Sequence, residues 1–278
     1  MPSLTTRGVH PTHLHYTDTE GPGRPIVLIH GWPASEKSWD RVAATLEDAG
    51  YRVIAYDRRG FGRSGEPHEG YDYDTFAADL DDLLTELDVV DAVLVGFSMG
   101  GGEVARYLAK YGTGRVTGAV FVAAITPALD TSLADNPDGG LSQEAAAGMQ
   151  AKFSDNPEVF LTDFLMKFYS VPFDGGRLMA PKEQVIISLE VANQANLQAL
   201  ETSIGLWLTD FRADLASVSV PTLVIHGDGD QIVPFEVSGK RMPQYVPQAE
   251  VTVIAEGPHG LLASHPDQVA AAILEFLA

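Results

Sequence analysis

Short apolar runs separated by helix-length amphipathic stretches constrain this chain most. Ile26-Val27-Leu28-Ile29 follows Pro25, and Arg52–Tyr56, Ala92–Val95, Ala119–Ala123, Thr222–Ile225 and Val251–Ile254 repeat the theme. Runs that are apolar on both faces suit strands buried in a parallel sheet. His13 to Tyr16 reads as an earlier strand. Between the runs lie amphipathic stretches over Ser38–Ala49, Thr75–Leu87 and Glu103–Tyr111. A last helix is predicted from Pro266 to about Phe276, with Ser264 as its cap. Strand and helix alternating in this way predict an α/β fold, a mostly parallel, doubly wound sheet.

One segment interrupts the pattern. From Thr126 to Asp214 only helical patches are legible, such as Pro157–Tyr169 and Glu183–Leu208. The sheet pattern resumes at Val220. The expected organisation is therefore a core of residues 1–125 and 215–278 with a helical cap, 126–214, inserted between two strands. The turn-rich stretch Asp135–Gly140 falls in a loop near the start of the insert.

Composition narrows the function. A net charge of −20 disfavours nucleic acid and anionic membranes as partners. The chain has no cysteine, which removes disulfides, thiolate metal sites and a cysteine nucleophile together. The first twenty residues lack the apolar core of a signal peptide, and no run of about 18 apolar residues occurs. A cytoplasmic protein is the default expectation.

The stretch Gly96-Phe97-Ser98-Met99-Gly100 carries the chemistry. It lies between an apolar strand and a predicted helix, the context of a nucleophile elbow. A serine there sits on a tight, strained turn with its hydroxyl raised above the sheet. Gly96 and Gly100 would avoid collisions with the neighbouring strand and helix. Gly101 and Gly102 would let the helix approach the sheet closely. The Met99 N–H, at a helix start, would point at the reaction centre.

A serine hydroxyl needs a base. Of the eight histidines, His10, His13, His15 and His68 read as surface residues, and His265 opens the last helix. His30 and His226 end strands in His-Gly pairs, where packing or backbone bonding is the usual role. His259, in Gly257-Pro258-His259-Gly260, follows the final strand and completes the chain order serine, acid, histidine. The acid belongs between them, and His226-Gly227-Asp228-Gly229-Asp230 offers both Asp228 and Asp230. The residues alone leave that choice open.

Several stretches together resemble the α/β-hydrolase fold family, in its group of cofactor-free haloperoxidases (non-haem chloroperoxidases) and arylesterases. They are His30-Gly31-Trp32-Pro33, Tyr56 to Ser64 (YDRRGFGRS), Gly70 to Ala77, the elbow, and Gly257 to Leu262. The resemblance runs from about Pro25 to the C-terminus and is weak across the cap. It implies Asp230 as the acid and the Trp32 N–H as a second oxyanion donor beside Met99. It also implies an acyl-serine mechanism without metal, haem or other cofactor. In such enzymes hydrogen peroxide can replace water, and the peracid released oxidises halide. Aryl esterases, lactonases and γ-lactamases occur in the same group. A small-molecule receptor that kept the fold is the alternative from another class.

The substrate side is less defined. Trp32, Pro33, Phe164, Trp207 and Ile232 are the candidate substrate contacts, with Phe153, Phe160 and Met166 as further cap residues. Pro33 has no N–H and biases Trp32 toward extended backbone. A Trp32 carbonyl turned into the site would accept a hydrogen bond from peroxide. The expected partners are a small ester or carboxylic acid, with peroxide as co-substrate, and a second copy of the chain.

Overall fold

The computed structural model describes residues 2–172 and 176–278. Eight strands form one sheet: β1 (Ser3–Thr5), β2 (His13–Asp18), β3 (Pro25–Ile29), β4 (Arg52–Tyr56), β5 (Ala92–Phe97), β6 (Val116–Val122), β9 (Thr222–Gly227) and β10 (Ala249–Ile254). Their spatial order is β1-β2-β4-β3-β5-β6-β9-β10. From β4 to β10 every pairing is parallel, whereas β1–β2 and β2–β4 are antiparallel. All six residues of β5 are buried. Their neighbours on β3 and β6 run beside them in register, Leu28 opposite Val95 and Val95 opposite Val120. Side chains such as Val93, Leu94 and Val95 each stabilise the centre by roughly 1.5–3 kcal/mol through burial.

Helices connect the strands. α1 (Asp40–Asp48) packs on α10 (Pro266–Leu277), and α2 (Tyr73–Glu86) on α3 (Met99–Tyr111). Asp72 caps α2 by accepting the Thr75 N–H at 2.8 Å. Between β6 and β9 the chain forms α4 (Gln143–Asp155), α5 (Pro157–Phe168), α6 (Lys182–Ala192), α7 (Leu197–Leu206) and the short α8 (Arg212–Leu215). Asn156 caps α5 by accepting the Val159 N–H, with Pro157 in the first turn where its missing N–H costs nothing. A single turn, α9 (Leu261–Ser264), precedes α10.

Three expectations are corrected. The insert holds strand as well as helix, a small antiparallel pair of β7 (Ser170–Val171) and β8 (Arg177–Leu178). Two-residue strands have no hydrophobic period to detect. β10 is an edge strand rather than one buried on both faces, and Val251 and Val253 are 37% and 44% exposed. Finally, α10 starts after His265 without a side-chain cap, because the Ser264 hydroxyl donates to the Gly260 carbonyl instead.

Candidate active site

Strand β5 ends at Phe97 and α3 starts at Met99, leaving Ser98 alone between them with φ 53° and ψ −116°. A β-carbon residue held at positive φ costs of order 1–3 kcal/mol. The surroundings enforce it. A Cβ on Gly96 would stand 2.4 Å from the Gly100 carbonyl oxygen, and one on Gly100 would stand 2.5 Å from that of Ile29. Side chains at either position would force the turn apart. Gly101 and Gly102 likewise meet Ala124 and Phe211 at contact distances that exclude a methyl group.

The raised hydroxyl meets a histidine. His259 Nε2 lies 2.9 Å from Ser98 Oγ, and His259 Nδ1 lies 2.7 Å from Asp230 Oδ2. A carboxylate only accepts, so the proton sits on Nδ1 and the Nε2 lone pair faces the serine. His259 is fully buried, its ring between Phe97 and Phe168 at centroid distances of 5.3 and 4.8 Å. Asp230 Oδ1 accepts the Ile232 and Val233 N–H groups, each at 2.8 Å. Burial alone would push the Asp230 carboxyl up. The facing His259 and the hydrogen bonds from His226 and His259 outweigh it and hold the group well below the usual carboxylate range. Asp228 turns the other way, and its Oδ1 accepts the Glu256 N–H at 2.6 Å.

Trp32 follows the loop glycine Gly31, and Met99 is the first residue of α3. A Cβ on Gly31 would stand 2.9 Å from the Ser98 Cβ, so the loop after β3 lies directly against the elbow. Both residues are buried, and among the described residues neither N–H has an acceptor. Buried N–H groups without an acceptor are available to an anionic oxygen. The Trp32 indole N–H is committed elsewhere, to the Leu200 carbonyl at 3.1 Å. The Trp32–Pro33 peptide is cis.

A buried ionic network braces this loop. His30 Nδ1–H donates to the Gly31 carbonyl at 2.7 Å, and its Nε2 accepts the Arg58 N–H at 3.0 Å. The Arg58 guanidinium donates to the His30 carbonyl at 2.9 Å and to Glu103 on α3 at 2.8 Å. The Tyr56 hydroxyl binds the other Glu103 oxygen. The YDRR stretch therefore ties the loop after β3 to the helix that follows the serine. Sequence reasoning quoted that stretch as a likeness and missed this support.

Ser98 opens into a cavity of about 330 Å³. Trp32, Phe160, Phe164, Trp207, Ile125 and Ile232 give it apolar walls, and Lys152 and Lys167 also line it. The Trp32 ring meets those of Phe164 and Trp207 edge-on at 4.8 and 5.1 Å. Of the candidate contacts, Trp32, Phe164, Trp207 and Ile232 are thus brought together. Pro33 is not. It lines a separate cavity of about 520 Å³, beside Phe97 and Phe168. Phe153 is packed under Trp32 and Phe160, and Met166 is exposed, so neither lines the Ser98 cavity.

The sequence matches the alpha/beta hydrolase fold family over residues 24–266. The chain belongs to the alpha/beta hydrolase fold family. Within it, a non-heme chloroperoxidase from Kitasatospora aureofaciens is 40% identical, covering 94% of this chain and 93% of that protein. A bifunctional esterase/perhydrolase from Acinetobacter calcoaceticus is 33% identical over 95% of each. The crystal structure of a bromoperoxidase from Bacillus anthracis superposes with a TM-score of 0.93 at 41% identity, covering 99% of both chains.

Against this alpha/beta hydrolase frame, one other cluster bears on metal binding. His15, Glu36 and Asp57 are buried, with potential ligand atoms within 4.8 Å of one another. A cation is already in place there. Arg63 pairs with Glu36 and lies 3.7 Å from Asp57, whose oxygens also accept the Glu36 and Arg63 N–H groups. The cluster fits a braced turn rather than a metal. Among the described residues no helix is long and apolar enough to cross a membrane.

Proposed function

We propose that the chain is a serine hydrolase of carboxylic esters, aryl or short acyl, that also acts as a perhydrolase when hydrogen peroxide replaces water. The observation that carries this reading is His259 placed between Asp230 and Ser98 at 2.7 and 2.9 Å. The related chloroperoxidase and esterase/perhydrolase support it.

Ser98 Oγ attacks the acyl carbonyl while His259 Nε2 takes its proton. Asp230, held anionic, keeps Nδ1 protonated and stabilises the imidazolium. The Met99 and Trp32 N–H groups receive the tetrahedral oxyanion, and loss of one such donor typically costs roughly 2.7–4 kcal/mol. His259 then gives its proton to the leaving alcohol. Water attacking the acyl-serine gives the acid. Peroxide gives the peracid, which oxidises bromide to hypobromite and returns the carboxylate. A free carboxylic acid can load the serine directly, releasing water. Residues 126–214 serve as the cap, since Phe160, Phe164 and Trp207 come from it while Trp32, Ser98 and Ile232 come from the core.

The test is Ser98→Ala, assayed with p-nitrophenyl acetate and, separately, by bromination in acetate with peroxide. Both activities should vanish together with the melting curve retained. Bromination surviving the loss of esterase would refute a shared acyl-serine.

A further inference from the structure

Asp230 is contacted by two histidines, of which the reaction uses one. His226, at the end of β9, is fully buried. Its Nε2 lies 2.8 Å from the Val233 carbonyl oxygen and 3.3 Å from Asp230 Oδ2, the same oxygen that receives His259 Nδ1–H. Both neighbours of Nε2 are acceptors, so Nε2 carries the proton and is shared between them. That leaves Nδ1 bare. It is buried without a hydrogen-bond partner, facing Gly239, where a Cβ would stand 2.7 Å away. A buried acceptor left unsatisfied destabilises the fold. A histidine needed only to fill space would be an expensive choice at this position.

We propose that His226 is a positioning residue for the triad acid, holding Asp230 Oδ2 toward His259. The inference rests on the reading that Ser98, His259 and Asp230 run the reaction. Asp230 Oδ1 is pinned by the Ile232 and Val233 N–H groups. With those contacts alone, the carboxylate could still turn Oδ2 away whenever His259 follows its proton toward a leaving group. The His226 N–H fixes the second oxygen independently of His259. Val233 closes the arrangement, because its N–H binds Oδ1 while its carbonyl binds His226. The carboxylate is thereby held at both ends through every step. The titratable groups in contact here are Asp230, His226 and His259, with the Phe235 ring 5.6 Å from His226.

The experiment compares His226→Gln, His226→Asn and His226→Phe. A glutamine amide reaches the position of Nε2 and can donate there, an asparagine amide stops at the level of Nδ1, and phenylalanine keeps the ring without a donor. Asn and Phe should lower kcat for p-nitrophenyl acetate by roughly 10-fold with KM little changed. They should also move the acid limb of kcat/KM to higher pH. With one donor fewer, the Asp230 carboxylate favours the His259 imidazolium more strongly. Gln should recover most of the rate and the original limb. Equal losses in all three variants with an unmoved limb would overturn the proposal, as would a Phe variant with wild-type kcat. If Phe does not fold, the Asn–Gln comparison decides. Failure of the underlying reading would show differently, as wild-type turnover that survives Ser98→Ala.

Discussion

Replacing Asp230 with asparagine tests the electrostatic logic of the site at its most constrained point. An amide has one acceptor and one donor end, whereas among the described residues all four contacts of the Asp230 carboxylate are donors: Ile232 and Val233 N–H at 2.8 Å, His259 Nδ1 at 2.7 Å and His226 Nε2 at 3.3 Å. If the amide nitrogen faces the turn, it opposes two main-chain N–H groups. If it faces His259, it opposes Nδ1–H and drives the imidazole to the tautomer whose Nε2–H faces Ser98. A serine facing a donor cannot lose its proton. The equivalent change in a well-studied protease triad costs about 10⁴-fold in kcat, roughly 5.4 kcal/mol of barrier. Lost hydrogen bonds to a charged group add about 1.5–3 kcal/mol of destabilisation. The pH dependence has a definite sign. The folded carboxyl lies below its ordinary value of 3.8, so its stabilisation is present above that value and lost as pH falls toward the folded one. The stability gap between wild type and Asp230→Asn should therefore be full at neutral pH and narrow in acid. Asp228→Asn is the control, since among the described residues that side chain holds only the Glu256 N–H. Stopped-assay kcat and urea melts at two pH values read both effects. Asp228→Asn losing more rate than Asp230→Asn would refute the assignment, and a pH-independent stability gap would refute the electrostatic argument.

Three further outcomes follow from the geometry. Lys152 and Lys167 line the cavity and make no ion pair among the described residues, so the Lys152→Gln/Lys167→Gln double variant should raise KM for acetate in perhydrolysis by roughly 5-fold per charge at most and leave KM for a neutral ester nearly unchanged; equal shifts for both would exclude charge attraction. Pro33→Leu frees φ and restores an N–H next to Trp32, and the ratio of bromination to ester hydrolysis should fall; an unchanged ratio would leave Pro33 without a role in peroxide selection. Ser98→Gly should be more stable than Ser98→Ala by about 1 kcal/mol, because Gly relieves the positive φ that Ala retains; identical melting temperatures would mean the elbow is not strained.

What the sequence made legible was chemistry written in residue type. A serine ringed by glycines after an apolar strand needs a turn that few other sequences form, and Ser98 at φ 53° shows that turn. The parallel sheet was legible because β3 and β5 are apolar at nearly every position and β9 carries the run Leu223-Val224-Ile225. Asp228 and Asp230 could not be separated, because two aspartates two residues apart on a turn differ only in direction, and direction is set by the Glu256 and Val233 backbone. Pro33 was misplaced for a related reason: a loop has no period from which to read the side of a side chain. β10 looked as apolar as β9, and only the strand order makes it an edge. His226 carried a visible signal, four residues ahead of Asp230, but a His-Gly pair at a strand end reads equally well as packing.

The division between strain and support explains why so much buried charge surrounds a largely apolar site. Ser98 holds an unfavourable backbone angle, and the loop bearing the Trp32 N–H must lie within contact of it. Neither feature is stable by itself. The elbow is pressed between β5 and α3 by apolar burial, which has no direction. Direction comes from the Arg58–Glu103–Tyr56 network, which joins α3 to the His30 backbone through bonds that fail if either element shifts. A buried ion pair of this kind adds little net stability over a well-packed apolar substitute, yet is costly to break by removing one partner. Its contribution here is registry. It holds the loop that leads to Trp32 against the start of α3, and under the proposed mechanism that is the spacing an oxyanion would need, since an ångström of drift would weaken it.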